Sequence, residues 1–135
     1  MKLKYIVLSI SALPLTSCMT RYEDVKKEHV FEAPSLIDMS SYKIKNRILS
    51  AAKSLKWDCG EEGTDVLRCI YSARQHNTTI RIFYGNQLLK NRAHINIQYV
   101  SSSGMENKDD KIHVKYGKWV RKLQQRILEE LRNNN

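Results

Sequence analysis

The sequence predicts an α+β fold: an antiparallel sheet of three to four strands, with an N-terminal and a C-terminal helix packed on one face, in the order α-β-β-β-β-α. Three observations predict it. Apolar residues recur every three or four positions in "SYKIKNRILSAAKSL" (41–55), every second position in three runs between 67 and 99, and every three or four positions again in "YGKWVRKLQQRILEEL" (116–131). Short strands in succession pair antiparallel, because a parallel pair needs a long crossover between them. Helices at the two ends of such a block cover one sheet face, and polar alternate positions leave the other face to water.

The first helix begins after Ser40 or Ser41, either of which suits an N-cap. Ile44, Ile48, Ala51 or Ala52, and Leu55 form its apolar stripe, with lysines on the other side. A hairpin follows, in which Trp57 and Cys59 share one parity and Cys69 and Tyr71 share one parity on the next strand. Setting Cys59 opposite Cys69 therefore sets Trp57 opposite Tyr71 and leaves Gly63-Thr64-Asp65 as the tip. Leu67, Cys69, Tyr71 and Ala73 alternate with Arg68, Ile70 and Ser72. Ile80, Ile82 and Tyr84 alternate with Thr79, Arg81 and Phe83, and Ile95, Ile97 and Tyr99 alternate with His94, Asn96 and Gln98. Gly85-Asn86 and Ser101-Ser102-Ser103-Gly104 supply turns or loops. The last helix carries Tyr116, Trp119, Val120, Leu123, Ile127 and Leu131 along one stripe. With the helices over Tyr71, Ile82 and Ile97, the opposite face bears Arg68, Ile70, Arg81, Phe83, His94, Asn96 and Gln98. No core requirement explains that mixture, and Phe83 among arginines is compatible with a protein-binding hot spot and equally with edge packing or one tolerated exposed apolar residue.

The chain ahead of this domain reads as an export signal. Lys2 and Lys4 precede Tyr5–Leu15, an apolar run shorter than the roughly 20 residues a membrane-crossing helix needs. Leu15-Thr16-Ser17-Cys18 resembles the bacterial lipobox, whose cysteine becomes a diacylglyceryl thioether and the new amino terminus. Several acyl chains, at about 0.8 kcal/mol per buried methylene, hold such a protein at a membrane. Residues 1–17 are thus expected to be a lipoprotein signal peptide, 18–40 a lipid-anchored tether with a dense charge run and Pro34, and 41–135 a single periplasmic domain. Met19, in place of the aspartate associated with inner-membrane retention, points to the outer membrane.

Of three cysteines, assigning Cys18 to lipid leaves Cys59 and Cys69 as an even pair, for which a disulfide is the default in an oxidising compartment. The thiols lack C-x-x-C spacing and His29, His76, His94 and His113 are scattered, so no metal and no cofactor is expected. Loss of Lys2 and Lys4 lowers the net charge from +9 to +7. Export removes nucleic acid as a partner for that charge. Anionic lipids, acidic polysaccharide and other envelope proteins remain, and the charge alone also suits a domain that only needs to stay soluble.

"INIQYVSSSGM" followed by "KIHVKYGKWVRKLQQRI" resembles the C-terminal signature of a family of small uncharacterised lipoproteins of Gram-negative bacteria, in which a strand ending in tyrosine leads to a serine-rich loop and an I-H-x-x-Y-x-x-W helix. Ile112, His113, Tyr116 and Trp119 hold that spacing, and "AAKSLKW" with the Arg74 and His76 of "SARQHNTTIRI" also match. Gly104 stands where the pattern has asparagine. The resemblance implies a fold and a location, and it brings no activity.

No G-x-S-x-G or H-E-x-x-H motif is present, and no thiol is left free after lipidation and pairing. Ser101 to Ser103 with His113 read as a polar turn before a helix-entry histidine, Asp109-Asp110 as helix-entry negative charge, and Tyr116 and Trp119 as core. The chain is therefore not expected to be an enzyme. Two readings remain. One is a non-enzymatic interaction module in envelope assembly or maintenance, acting through the open sheet face or through Lys115, Lys118, Lys122 and Arg126 of the last helix. The other is a small-ligand or glycan binder, or an inhibitor of a wall-degrading enzyme, using Arg74, His76 and His113 in a cleft.

Overall fold

The computed structural model describes residues 22–24, 28–34, 38–85, 94–104 and 111–133. The lipobox and Cys18 lie outside these residues, as do Asn86 and Asp109-Asp110. In chain order the elements are β1 (Tyr22–Asp24), β2 (His29–Glu32), α1 (Ser41–Ser54), β3 (Trp57–Gly63), β4 (Val66–Ala73), β5 (His76–Phe83), β6 (His94–Ser103), β7 (Lys111–His113) and α2 (Val114–Arg132). The fold is α+β, with a five-stranded antiparallel sheet in the order β2-β6-β5-β4-β3 and two helices packed together. β1 and β7 form a separate two-stranded ladder, in which Tyr22 stands opposite His113.

α1 starts where the sequence places it. The Ser40 hydroxyl accepts a hydrogen bond from the Lys43 amide at 3.2 Å, meeting one of the donors a helix start leaves without a partner. The helix ends through Leu55 into Lys56, whose φ of 67° turns the chain directly into β3. Ile44 and Ile48 of α1 and Val120, Leu123 and Ile127 of α2 meet Leu67, Ile80, Ile82, Ile95 and Ile97 of the sheet in one core, with each of these side chains at most 1 % exposed. Burial of such a side chain contributes roughly 1.5–3 kcal/mol.

The β3–β4 register is the one the cysteines imply. Trp57 faces Tyr71, and Cys59 faces Cys69, joined as a disulfide with Cα atoms 4.1 Å apart. The tip differs by a residue from the expectation. Glu61 pairs with Leu67 and Gly63 with Val66, so Glu62 is an extra, bulged residue and the turn narrows to Thr64-Asp65. A second irregularity separates Thr79–Ser101 from Ile80–Tyr99, leaving Val100 of β6 as its extra residue.

The sheet has one strand more than expected, and it comes from the segment read as tether. Phe31 stands opposite Ile95 and is 7 % exposed, and Ala33 and Met39 are also in the core. The folded unit therefore begins no later than residue 29. His29-Val30-Phe31-Glu32 alternates inward and outward for only four residues before Pro34, too short a run to stand out against the charged residues ahead of it.

Candidate functional site

The core takes one face of the sheet. The other carries Arg68, Ile70, Arg81, Phe83, His94, Asn96 and Gln98, the set that strand parity assigns to it, and β2 adds Val30 and Glu32. Register organises these side chains into rows across the strands. In one row Val66 of β4, Phe83 of β5, Asn96 of β6 and Val30 of β2 are successive cross-strand partners. In the adjoining row Arg68, Arg81 and Gln98 are partners in the same way.

Val66, Phe83, Val30 and, among them, the amide of Asn96 form the floor of a concavity of about 460 Å³, to which His94, Gln98, Thr64, Asp65 and Gly85 also contribute. Val30 is 55 % exposed at its margin, Ile70 is 42 % exposed nearer β3, and Phe83 is half-buried. The neighbouring row is polar and internally paired. The Arg81 guanidinium donates to the Glu62 carboxylate twice, at 2.7 and 2.9 Å, and Arg68 reaches the same carboxylate at 3.5 Å. The bulge in β3 is what offers Glu62 to both arginines. The hydrogen bonds from Arg81 hold the Glu62 carboxyl below its ordinary range. On β6, Asn96 and Gln98 donate to the two oxygens of Glu28 at 3.2 and 3.0 Å, and His94 lies 3.3 Å from Glu32. Arg81 is thus half of a bidentate ion pair as well as a surface cation, which sequence parity gave no way to see.

The second group of expected residues sits elsewhere. Arg74 is exposed at the first position of the two-residue β4–β5 turn, with a left-handed φ of 55°. His76 opens β5 and its Nδ1 lies 2.7 Å from the Gly104 carbonyl oxygen. Gly104 has φ +70°, and a Cβ there would come within 1.8 Å of the Gln75 carbonyl, so the asparagine of the lipoprotein pattern would not fit. These residues lie at the start of β5, whereas the concavity lies at its end, beside Phe83. Arg74 and His76 therefore take no part in the concavity. His113 belongs to β7 by its backbone, and its side chain lies outside the described residues.

Tyr116 is buried, with its ring 5.2 Å from Tyr99 and 6.3 Å from His29. Trp119 is half-buried and packs on Tyr71 at 4.7 Å, and Tyr71 packs in turn on Trp57 at 5.2 Å. These aromatic side chains tie α2 to the sheet. Ser102 shares a 2.7 Å hydrogen bond with the Tyr99 hydroxyl. Among the described residues no three His, Cys, Asp or Glu side chains gather as a metal site, and no helix is long and apolar enough to cross a membrane. No protein-family model matches the chain, and no curated protein matches it.

Proposed function

We propose that the chain is an outer-membrane lipoprotein of the kind its lipobox and C-terminal signature resemble, anchored through Cys18, whose folded domain binds an envelope protein and performs no catalysis. The observation that carries the binding reading is the transverse row Val66, Phe83, Asn96, Val30, three apolar side chains and one amide on a sheet face that the helices leave open. Apolar side chains in a shallow concavity, ringed by paired polar groups, match the anatomy of a protein contact, with an aromatic anchor at the centre and a polar rim. The glycan-binder reading loses support, because Arg74 and His76 sit at the other end of β5 from that concavity.

The test is site-specific photocrosslinking in cells from positions 30, 70 and 83, with position 50 on the outer side of α1 as the comparison. The expected result is one envelope protein captured from the three sheet positions and not from position 50, with capture from position 30 abolished by Phe83→Ala. Identical adduct patterns from all four positions would overturn the reading. The anchor has its own test. Cys18→Ser is expected to release the protein from the membrane fraction or leave it unprocessed, and a wild-type protein recovered soluble and unacylated would refute the lipid assignment.

A further inference from the structure

The two layers of the domain carry opposite charge. α1 and α2 together hold ten basic and two acidic side chains, a balance of +8, whereas the five strands of the sheet hold two basic and four acidic, a balance of −2. α1 has no acidic residue at all, and the two in α2 are Glu129 and Glu130, in its last turns, where Arg126 lies within 3.3 and 3.8 Å of them. One stripe of each helix is committed to the core, and of the helical cations Lys45 turns to the sheet, its Nζ 2.6 Å from Glu61 of β3. Lys43 of α1 and Lys118 and Lys122 of α2 stand off the buried stripes and are exposed, whereas Lys53 borders Asp58 and Cys59 of β3. Tyr42, 70 % exposed, lies instead toward the β3–β4 tip, in a hollow it shares with Lys45, Glu61, Thr64 and Asp65.

We propose that the outward face of the α1–α2 layer docks on an anionic phospholipid bilayer and so turns the open sheet face away from the membrane. The inference extends the lipid-anchored reading and rests on it only for bringing the domain within reach of a bilayer. Charge complementarity selects the occupant. Cations spread over two adjoining helices match a plane of headgroups, whereas one polyanionic strand is gripped by a groove that follows it. The weakly acidic sheet layer is repelled by the same surface, so attraction and repulsion favour one orientation.

The experiment uses the full chain carrying Cys18→Ser, so that the lipid does not dominate, sedimented with vesicles of phosphatidylcholine or of an equal mixture of phosphatidylcholine and phosphatidylglycerol. The readout is the ratio of partition into mixed over neutral vesicles, in which the apolar contribution of residues 1–17 cancels. The ratio is expected to fall as salt rises. Lys43→Gln/Lys118→Gln/Lys122→Gln is expected to lower it by about 100-fold, roughly fivefold per cation, while Arg68→Gln on the open face lowers it by less than about twofold. An unchanged ratio in the triple variant, an equal loss in Arg68→Gln, or retention on an acidic polysaccharide without binding to mixed vesicles overturns the proposal. Acylation of the wild-type protein is scored separately by the mass of its amino-terminal peptide, so loss of the anchor is distinguishable from loss of the docking face.

Discussion

Glu62 shows how a single residue can decide the character of a surface. As the extra residue of a bulge it serves two arginines, and Arg81 holds its carboxyl below the usual range, the hydrogen bonds being the main cause. A carboxyl whose folded pKa is depressed contributes stability that is present above its unfolded value, near 4.5, and lost as pH falls through the folded value. The difference in thermal midpoint between wild type and Glu62→Gln is therefore expected to be constant from pH 6 to 8 and to shrink below about pH 4.5, measured by circular dichroism melts across pH. A difference that grows on acidification would contradict the pairing. Lys56 presents the reverse case, a residue in a conformation that suits it poorly. Its φ of 67° follows the α1 C-cap, a position where glycine avoids the clash between Cβ and carbonyl. Lys56→Gly is expected to stabilise the fold by about 0.5–1 kcal/mol, or roughly 3–6 °C in the thermal midpoint for a domain of this size.

At the scale of elements, the β3–β4 hairpin is closed covalently, whereas β2 is held without a covalent link, by packing, its ladder and side-chain contacts such as His94–Glu32. The Cys59–Cys69 bridge spans a sequence separation of 10, for which loop-closure entropy predicts about 2–3 kcal/mol. Cys59→Ser/Cys69→Ser is expected to lose that amount in urea melts, while reductant has no effect on the double variant. Two titratable thiols at 59 and 69 in the denatured, unreduced protein would rule the bridge out. β2 gives the sharpest test of the edge of the fold. If residues 29–33 were linker, Phe31→Ala would leave the thermal midpoint unchanged. Since Phe31 packs in the core opposite Ile95, the expected loss is about 3 kcal/mol, the low end for a buried phenylalanine because the strand lies at an edge. The hairpin register was legible because two cysteines and two aromatics of like parity agree on it. The β2 register was not, because four alternating residues are too few to declare a period.

For the whole molecule, sequence by itself determined the class of fold, the order of its main elements, the disulfide and the division of strand residues between two faces. Each of these follows from periodicity or pairing within one or two neighbouring elements, where geometry is set by the helical and pleated repeats. Which residues act together was decided only by tertiary structure. Arg74 and His76 fall at one end of β5 and the row through Phe83 at the other. Glu62 meets Arg68 and Arg81 only because a bulge and two ladders bring three strands into step. Phe31, remote in sequence from β6, completes the core beside it, and two helices separated by 59 residues pack as one layer. The physical reason is common to all four. Contacts between residues distant along the chain depend on the order and register of strands in the finished sheet, and a local repeat carries no record of that order.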